Sequence, residues 1–534
     1  MNLGRLAQDN IQRFGEYDFV YHDGRWHTNL AMNRMANKLG NALKRLGVGK
    51  GDRVGVQLPN CPELIQTFFA TFKIGAILVP VNPSLRVHEL AYIYQDAGLI
   101  ALVSSADYRE VIREACREAA GLKSVILIGE SIPADVWSFR TLIGQEADDL
   151  PLADTDNDDA AVIIYTAGTT GNPKGVILTH YNWYSHVTGY YEQVLLDAWG
   201  VSVKGIVQEQ DARQGKTPEQ VTEVFGVRRN RVSLITLPLF HGYGVFAVNI
   251  EYLTGGKLIV ISRWNAEEAL ECIERFGVTD FRGVPTMYIQ LLNHPAAPKF
   301  DLSSLQTCIC GSAPMPLEVA RLWREKYGLH IWEGYGLSEA TTVNCGNIAS
   351  RRLPKYGSIG KCYQKANTIK IFDDNGREVP TGQTGEIVIK GPGVMKGYWN
   401  KPAETAEVIR DGWLHTGDVG YADEDGYLYI TDRKKDLIIR GGENIYPKEI
   451  ENVLHQHPGV LEAGVIGIPD PIYGEAVKAF VTLKIPGAVS EEDLLAFCGE
   501  HLPSLKRPKN IQLLDALPKS AVGKVLRREL RTMS

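Results

Sequence analysis

Lys174 stands near the end of Tyr165-Thr166-Ala167-Gly168-Thr169-Thr170-Gly171-Asn172-Pro173-Lys174-Gly175, directly after the apolar run 160–164. A loop of this composition can hold a polyphosphate. Its glycines leave backbone N–H groups approachable, its threonines add hydroxyl donors, and the lysine ammonium is a compact positive charge that phosphate oxygens can share. The spacing is not that of the nucleotide-binding Gly-x-x-x-x-Gly-Lys-Ser/Thr loop, because Lys174 follows a proline, lies three residues after Gly171 and precedes Gly175. The phosphates must therefore be held in another way, and taken alone the stretch also reads as a Gly/Thr-rich surface turn.

The run 166–175 resembles the signature of the acyl-adenylate-forming enzymes, the superfamily of AMP-dependent synthetases and ligases that includes acyl-CoA synthetases, firefly-type luciferases and peptide-synthetase adenylation domains. Further segments match in that family's order over nearly the whole chain. Gly311-Ser312-Ala313-Pro314 resembles the adenine-side loop, where small side chains let backbone approach a base. In Trp332-Glu333-Gly334-Tyr335-Gly336-Leu337-Ser338-Glu339 the resemblance implies Tyr335 against adenine beside Gly336, Ser338 on a phosphate or acyl oxygen, and Glu339 holding Mg²⁺. Thr416-Gly417-Asp418 resembles the motif whose aspartate accepts both ribose hydroxyls, a task suited to a carboxylate with two acceptor oxygens.

In Asp432-Arg433-Lys434-Lys435-Asp436 the resemblance puts Arg433 at the ribose and Lys435 with it on the nucleotide side. The segment from Gly441-Gly442-Glu443 to Glu451 resembles the lining of a pantetheine tunnel. Pro518-Lys519-Ser520-Ala521-Val522-Gly523-Lys524 resembles the closing motif whose lysine reaches the α-phosphate. Thr166, Gly168, Thr169, Thr170, Gly171 and Lys174 are then phosphate contacts, Gly311, Ser312 and Ala313 adenine contacts, and Lys524, Glu339 and His241 the catalytic positions. ATP, Mg²⁺ and coenzyme A are the implied cofactors.

The implied chemistry is two half-reactions in one pocket. A substrate carboxylate attacks the α-phosphorus of ATP and displaces pyrophosphate; the thiol of CoA then attacks the acyl-AMP carbonyl. The first step needs positioning and neutralisation of developing charge, not a protein nucleophile. Because Lys524 and Gly441-Gly442-Glu443 are wanted at the same pocket at different times, the C-terminal domain is expected to rotate about Asp432.

Phe240-His241-Gly242-Tyr243-Gly244 resembles the start of the acyl pocket. His241 stands where amino-acid-activating relatives carry an aspartate, so a buried ammonium would be unpaired. Gly336 stands where acetate-activating relatives carry a tryptophan, which implies an open pocket. The expected substrate is a carboxylic acid larger than propionate, a medium- or long-chain fatty acid or an aromatic or alicyclic acid. An acyl-AMP ligase loading a carrier protein, and a non-catalytic nucleotide-binding relative, are the alternative readings.

The elements that must position these residues alternate. Thr28 is an N-cap signal before Leu30, Met32, Met35, Ala36, Leu39, Leu43 and Leu46, an amphipathic helical spacing that ends at Gly47. Strands at 54–56, 76–81, 100–104, 125–128 and 160–164 alternate with helices at 63–72 and 86–96, which points to a mainly parallel sheet covered on both faces. A helix follows His180. The stretch 199–231 is a polar surface excursion, with Thr217-Pro218-Glu219 opening a short helix inside it. Strand and helix return at 257–260, 266–276 and 281–285.

From about residue 358 short runs at 368–372 and 385–390, split by Asp-Asn-Gly and Pro-Thr-Gly turns, form a β-rich subdomain. The resulting expectation is an α/β fold. A large N-terminal domain over 1–431 has mixed, mostly parallel sheets flanked by helices and includes the β-rich subdomain at 358–431. A small mobile α+β domain follows over 432–534, with a hinge at the charged break Asp432.

At 534 residues the chain exceeds one ordinary core. A net charge of −6 gives no electrostatic reason to bind nucleic acid or an anionic membrane. Residues 1–13 carry Arg5 and Arg13 but no apolar core, and no stretch of eighteen apolar residues occurs, so neither a secretory signal nor a transmembrane segment is expected and the cytoplasm is the expected compartment. Eight scattered cysteines suggest neither a zinc site nor a disulfide frame; Cys308 and Cys310 should share one side of a buried strand. The expected partners are small molecules, with a homo-oligomer possible.

Overall fold

The computed structural model describes residues 1–119, 121–166, 172–199, 231–347, 354–363, 367–520 and 523–534. Residues 200–230, which hold most of the polar excursion and the helix expected at Thr217, lie outside the described residues.

Two large sheets carry the N-terminal part. One has eight strands in the order Gly397–Tyr398, Lys174–Thr179, Ala160–Thr166, Ile77–Pro80, Arg53–Gln57, Leu99–Ser105, Ser124–Ile128 and Trp137–Ser138. From Ala160–Thr166 onward its pairs are parallel; the hairpin Ala160–Thr166/Lys174–Thr179 and the added edge Gly397–Tyr398 are antiparallel. The other has nine strands, with a parallel centre of Ile331–Leu337, Thr307–Cys310, Asp280–Gly283, Val232–Ile235, Lys257–Val260 and Asp18–His22.

Local signals account for most of these elements. The Thr28 side chain accepts from the Ala31 N–H and starts helix Asn29–Arg45; Asn265 caps helix Ala266–Phe276, which ends at Gly277 in the left-handed region. Cys308 and Cys310 are both buried on strand Thr307–Cys310, as the two-residue period requires. Helices Pro62–Lys73 and Gly242–Thr254 are buried on nearly all sides, within the core that joins the two sheets. A helix that is apolar all round has no stripe for periodicity to find, and Gly242–Thr254 is one element that the spacing of apolar residues does not reveal.

A third sheet is antiparallel, in the order Thr368–Phe372, Gly385–Lys390, Trp413–Ala422 and Ile409–Arg410, with Leu428–Arg433 also paired to Trp413–Ala422. A fourth is built from Glu443–Ile445, Ile438–Arg440, Gly474–Leu483, Val460–Asp470 and Asn510–Leu513, packed with helices Pro447–Leu454, Glu491–His501 and Arg527–Thr532. Asp432 is not in a break. It lies in strand Leu428–Arg433 opposite Val419 and is 5% exposed. Its charge is tolerated there because its carboxylate accepts from the N–H groups of Arg433 and Lys448 and from Arg527 Nη1 at 2.8, 3.2 and 3.2 Å.

Candidate nucleotide and acyl site

Asp418 and Arg433 are cross-strand partners in the third sheet, so their side chains emerge on one face. Arg433 Nε donates to Asp418 Oδ1 at 2.9 Å, and Tyr335 Oη donates to Oδ2 at 2.6 Å. Asp418 is 3% exposed. Burial and the adjacent Asp418 carboxylate push the Tyr335 phenol well above its usual range, so it stays a neutral donor. Each Asp418 oxygen thus has one protein donor and keeps a lone pair for another. Just before it in the same strand, Gly417 at φ +72° donates its N–H to Glu386 Oε1 at 3.0 Å.

Glu339 sits on the single turn Ser338–Ala340, followed by Thr341 and Thr342 at φ +52° and +76°. Two consecutive β-branched residues in the left-handed region are strained. They are held because Thr341 Oγ1 donates to the Gly393 carbonyl at 2.6 Å and the Met395 N–H to the Glu339 carbonyl at 2.8 Å. Tyr398 Oη donates to Glu339 Oε1 at 3.0 Å, and Lys174 Nζ lies 5.1 Å from the centroid of the same ring. Edge strand Gly397–Tyr398, paired to Lys174–Thr179, makes this junction.

Tyr398 was missed by sequence reasoning, since a two-residue edge strand leaves no periodic signal. Thr166 faces Lys174 across the hairpin and its Oγ1 donates to the Lys174 carbonyl at 3.5 Å. Gly168, Thr169, Thr170 and Gly171 lie outside the described residues. One carboxylate with an oxygen to spare fits Mg²⁺, which keeps waters and shares substrate phosphates; no group of three or more metal-binding side chains occurs among the described residues.

Lys524 lies in a turn in which the Ser520 N–H donates to its carbonyl at 2.8 Å. Gly523, at φ +73°, is seated on the N-terminal part: a Cβ there would stand 2.9 Å from Thr286 Oγ1 and 3.1 Å from Val284 Cγ2. Burial, then the neighbouring Arg433 guanidinium, pushes the Lys524 amine down to about 8, against the opposing pull of Asp418. The fold therefore brings Lys524 near Arg433 and Asp418. Gly441, Gly442 and Glu443 instead occupy an exposed hairpin turn, with both glycines at positive φ, and Lys435 is exposed as well.

A cavity of about 370 Å³ opens between Gly311, Ser312 and the backbone of 334–338 on one side and Tyr190, Tyr243, Phe246, Ile250 and Ile309 on the other. Ala313 is not on its wall; Ser312, at φ +68°, turns the loop there. His241 caps helix Gly242–Thr254, its Nδ1 accepting from the Tyr243 N–H at 3.4 Å. Burial pushes the ring down to about 4, so it is neutral at pH 7 with the proton on Nε2. Such a ring can donate a hydrogen bond but is a weak base.

Gly336 requires a correction. It does not mark an open floor, because a Cβ there would stand 1.2 Å from the Thr342 carbonyl oxygen. The missing side chain reflects backbone contact at the bulge between strands Ile331–Leu337 and Thr342–Gly346.

The cavity follows the parallel strands from end to end. Gly311, Ser312, His241 and the 334–338 backbone stand at or beyond strand carboxyl ends, where ligands bind in open α/β sheets. Arg231, Thr279, Asp280 and Gln306 line it at the amino ends.

The family model for AMP-binding enzymes matches residues 7–399, and that for the AMP-binding enzyme C-terminal domain matches residues 449–524. The chain is 37% identical over 557 residues to a long-chain-fatty-acid–CoA ligase of Bacillus subtilis, covering 99% of this chain and 94% of that protein. It is also 37% identical over 513 residues to a feruloyl-CoA synthase of an Amycolatopsis species, covering 96% and 95%. A crystal structure of an anthranilate CoA ligase in complex with anthranoyl-AMP superposes with a TM-score of 0.89 at 28% identity, covering 100% of this chain and 97% of that one.

Proposed function

Given that the chain belongs to the AMP-binding enzyme family, we propose that the acid it activates is larger than propionate, a medium- or long-chain fatty acid or an aromatic or alicyclic acid. The reaction is ATP-dependent acid–CoA ligation through an acyl-AMP, with release of AMP and pyrophosphate. The observation that carries the substrate class is the cavity itself. It is continuous with Gly311-Ser312 and the segment 334–338, and Tyr190, Tyr243, Phe246, Ile250 and Ile309 give it an apolar stretch of wall with room for more than a short acyl chain.

The residues divide the work as follows. Tyr335, Asp418 and Arg433 orient the ribose and adenine, each held by its partner before substrate arrives. Lys174 and Lys524 supply positive charge to the phosphates, and Lys524 does so beside the α-phosphorus. Glu339, steadied by Tyr398, would hold Mg²⁺, which when bound offsets charge on the β- and γ-oxygens. Neutral His241 and the Ser338 hydroxyl donate toward the acyl carboxylate and keep it in line with phosphorus. The carboxylate oxygen forms a bond to the α-phosphorus, and pyrophosphate leaves with the bonding pair.

The second half-reaction needs a different face of the C-terminal domain, 432–534 in our reading. Gly441 and Gly442 stand in solvent here, while Lys524 is docked. Rotation about the 432–436 segment would exchange them. The eight cysteines are all free, which suits a cytoplasmic enzyme; no helix among the described residues is long and apolar enough to cross a membrane.

A panel of acids assayed for pyrophosphate release, with and without CoA, tests this reading. Turnover of acids larger than propionate, with acyl-CoA formed, is expected. A preference for acetate or for amino acids would overturn the substrate class, and acyl transfer only to a carrier thiol would replace CoA as acceptor.

A further inference from the structure

Four charged side chains converge at the amino ends of the central strands. Glu251, fully buried, is the centre of the group. It accepts from Arg231 through Nε at 3.2 Å and through Nη2, from Arg282 Nη2 at 3.2 Å, and from Ser233 Oγ at 3.0 Å. Arg231 Nη2 also donates to Thr254 Oγ1 at 3.3 Å, and Arg282 Nη2 lies 3.8 Å from Asp280 Oδ1. Arg282 is 3% exposed, and its Nε is buried with no hydrogen-bond partner among the described residues. Arg231, Thr254, Asp280 and Arg282 all line the cavity, with Glu251 behind them.

An apolar acyl tunnel has no use for this group, since charges taken out of water without full pairing are costly. Among the described residues two guanidiniums face two carboxylates, so the group is balanced. A further carboxylate would set three negative charges against two positive ones. What the cavity meets is donors on the arginines beside acceptors on Asp280 and Thr254. A hydroxyl, which both donates and accepts, satisfies both kinds.

The reach is set by the fold. His241 caps the helix that carries Glu251 ten residues later, roughly 15 Å along its axis at 1.5 Å per residue. A four-residue strand spans roughly 13 Å between the same two ends.

We propose that this polar end is a recognition site for an uncharged hydroxyl or phenol at the far terminus of the acid, so that the enzyme prefers distally hydroxylated acids. The inference rests on the acyl-site reading above. A terminal methyl group would leave Arg282 and Asp280 desolvated and unanswered, whereas a hydroxyl restores their hydrogen bonds.

The test uses matched pairs of acids in the pyrophosphate-release assay on the full-length enzyme: ω-hydroxy against methyl-terminated acids of equal length, and phenolic arylalkenoic acids against their unhydroxylated counterparts. The expected result is a kcat/KM at least about tenfold higher for the hydroxylated member at one length or ring geometry. In Arg282→Met and in the milder, isosteric Asp280→Asn, that ratio should fall toward one, chiefly through KM. Thermal midpoint and KM for ATP on the same preparations separate this from misfolding, and Asp280→Asn supplies the result if Arg282→Met does not fold.

Equal kcat/KM for both members of every pair, or a ratio unchanged in a folded variant, would overturn the inference while leaving the ligase reading intact. A preference for dicarboxylic acids would overturn the uncharged form of it. Release of pyrophosphate with no acid in the panel would overturn the ligase reading and this inference with it.

Discussion

Lys524 is the residue whose alteration should separate the two half-reactions most cleanly. Its amine shares a pocket with the Arg433 and Arg527 guanidiniums, opposed by Asp418 and Asp436, and burial with these like charges holds it near about 8 instead of 10.5. In the free enzyme the charge is complete well below pH 8 and is lost as pH rises through it. Bound polyphosphate favours the ammonium and raises its pKa. The kcat/KM for ATP in pyrophosphate release should therefore show an alkaline limb near pH 8, and kcat a limb displaced to higher pH.

Lys524→Arg keeps a cation that does not titrate in this range, so the limb should vanish even if the rate falls. In Lys524→Ala one stabilising donor is gone. Losses for such a donor are about 10²–10³ in rate, or about 2.7–4 kcal/mol. That loss should fall on acyl-AMP formation, while transfer from supplied acyl-AMP to CoA is affected far less.

The stability sign is also determined. The folded pKa lies below the unfolded one, so the unfolded chain binds more protons between about pH 8 and 10.5. The contribution of Lys524 to stability rises with pH across that window and is unfavourable below it, and Lys524→Met should not lower the thermal midpoint at pH 7. An alkaline limb that survives in Lys524→Arg, or equal losses in both half-reactions of Lys524→Ala, would refute the assignment.

Three further outcomes are expected. Tyr398→Phe removes one hydrogen bond to the Glu339 carboxylate; such a bond is worth about 1.5–3 kcal/mol, so Mg²⁺-ATP titrations should show kcat/KM reduced by about ten- to a hundredfold, and an unchanged Mg²⁺ dependence would remove Tyr398 from the metal side. Gly336→Ala drives a methyl group into the Thr342 carbonyl and should cost about 3 kcal/mol or more through forced backbone shifts, read as a lower thermal midpoint; Gly336→Trp should then lose fold before it shifts acid preference, and a folded, acetate-selective Gly336→Trp would restore the open-floor reading. Asp432→Ala leaves Arg527 with Asp436 and Glu451 alone, loosening the docked C-terminal domain, so acyl-AMP formation should fall more than acyl transfer; equal effects would place the pivot elsewhere.

Much of this protein is written locally. The Thr28 cap, the 3.6-residue stripe of helix Asn29–Arg45, the caps of Ala266–Phe276 and the alternating Cys308 and Cys310 follow from short-range sterics and burial, which act over a few residues and leave their record in neighbouring letters. The motif residues could equally be picked out by type: a carboxylate at Asp418, a lysine at Lys524, small residues at Gly311 and Ser312.

Which of them meet, and in what state, was decided by tertiary structure. Asp418 joins Tyr335 across 83 positions because two sheets abut, and Arg433 across 15 because strand pairing sets the two opposite each other. Tyr398 reaches Glu339 and Lys174 through an edge strand too short to leave a pattern. Gly336 looked like space and proved to be contact, because the direction of an absent Cβ depends on the neighbouring strand's register. Arg231, Glu251 and the pair Asp280 and Arg282 fall in three separate segments, and isolated charged letters in a sequence read as surface. They become one buried group because parallel strands and a helix bring their ends to the same edge, where desolvation forces opposite charges to pair.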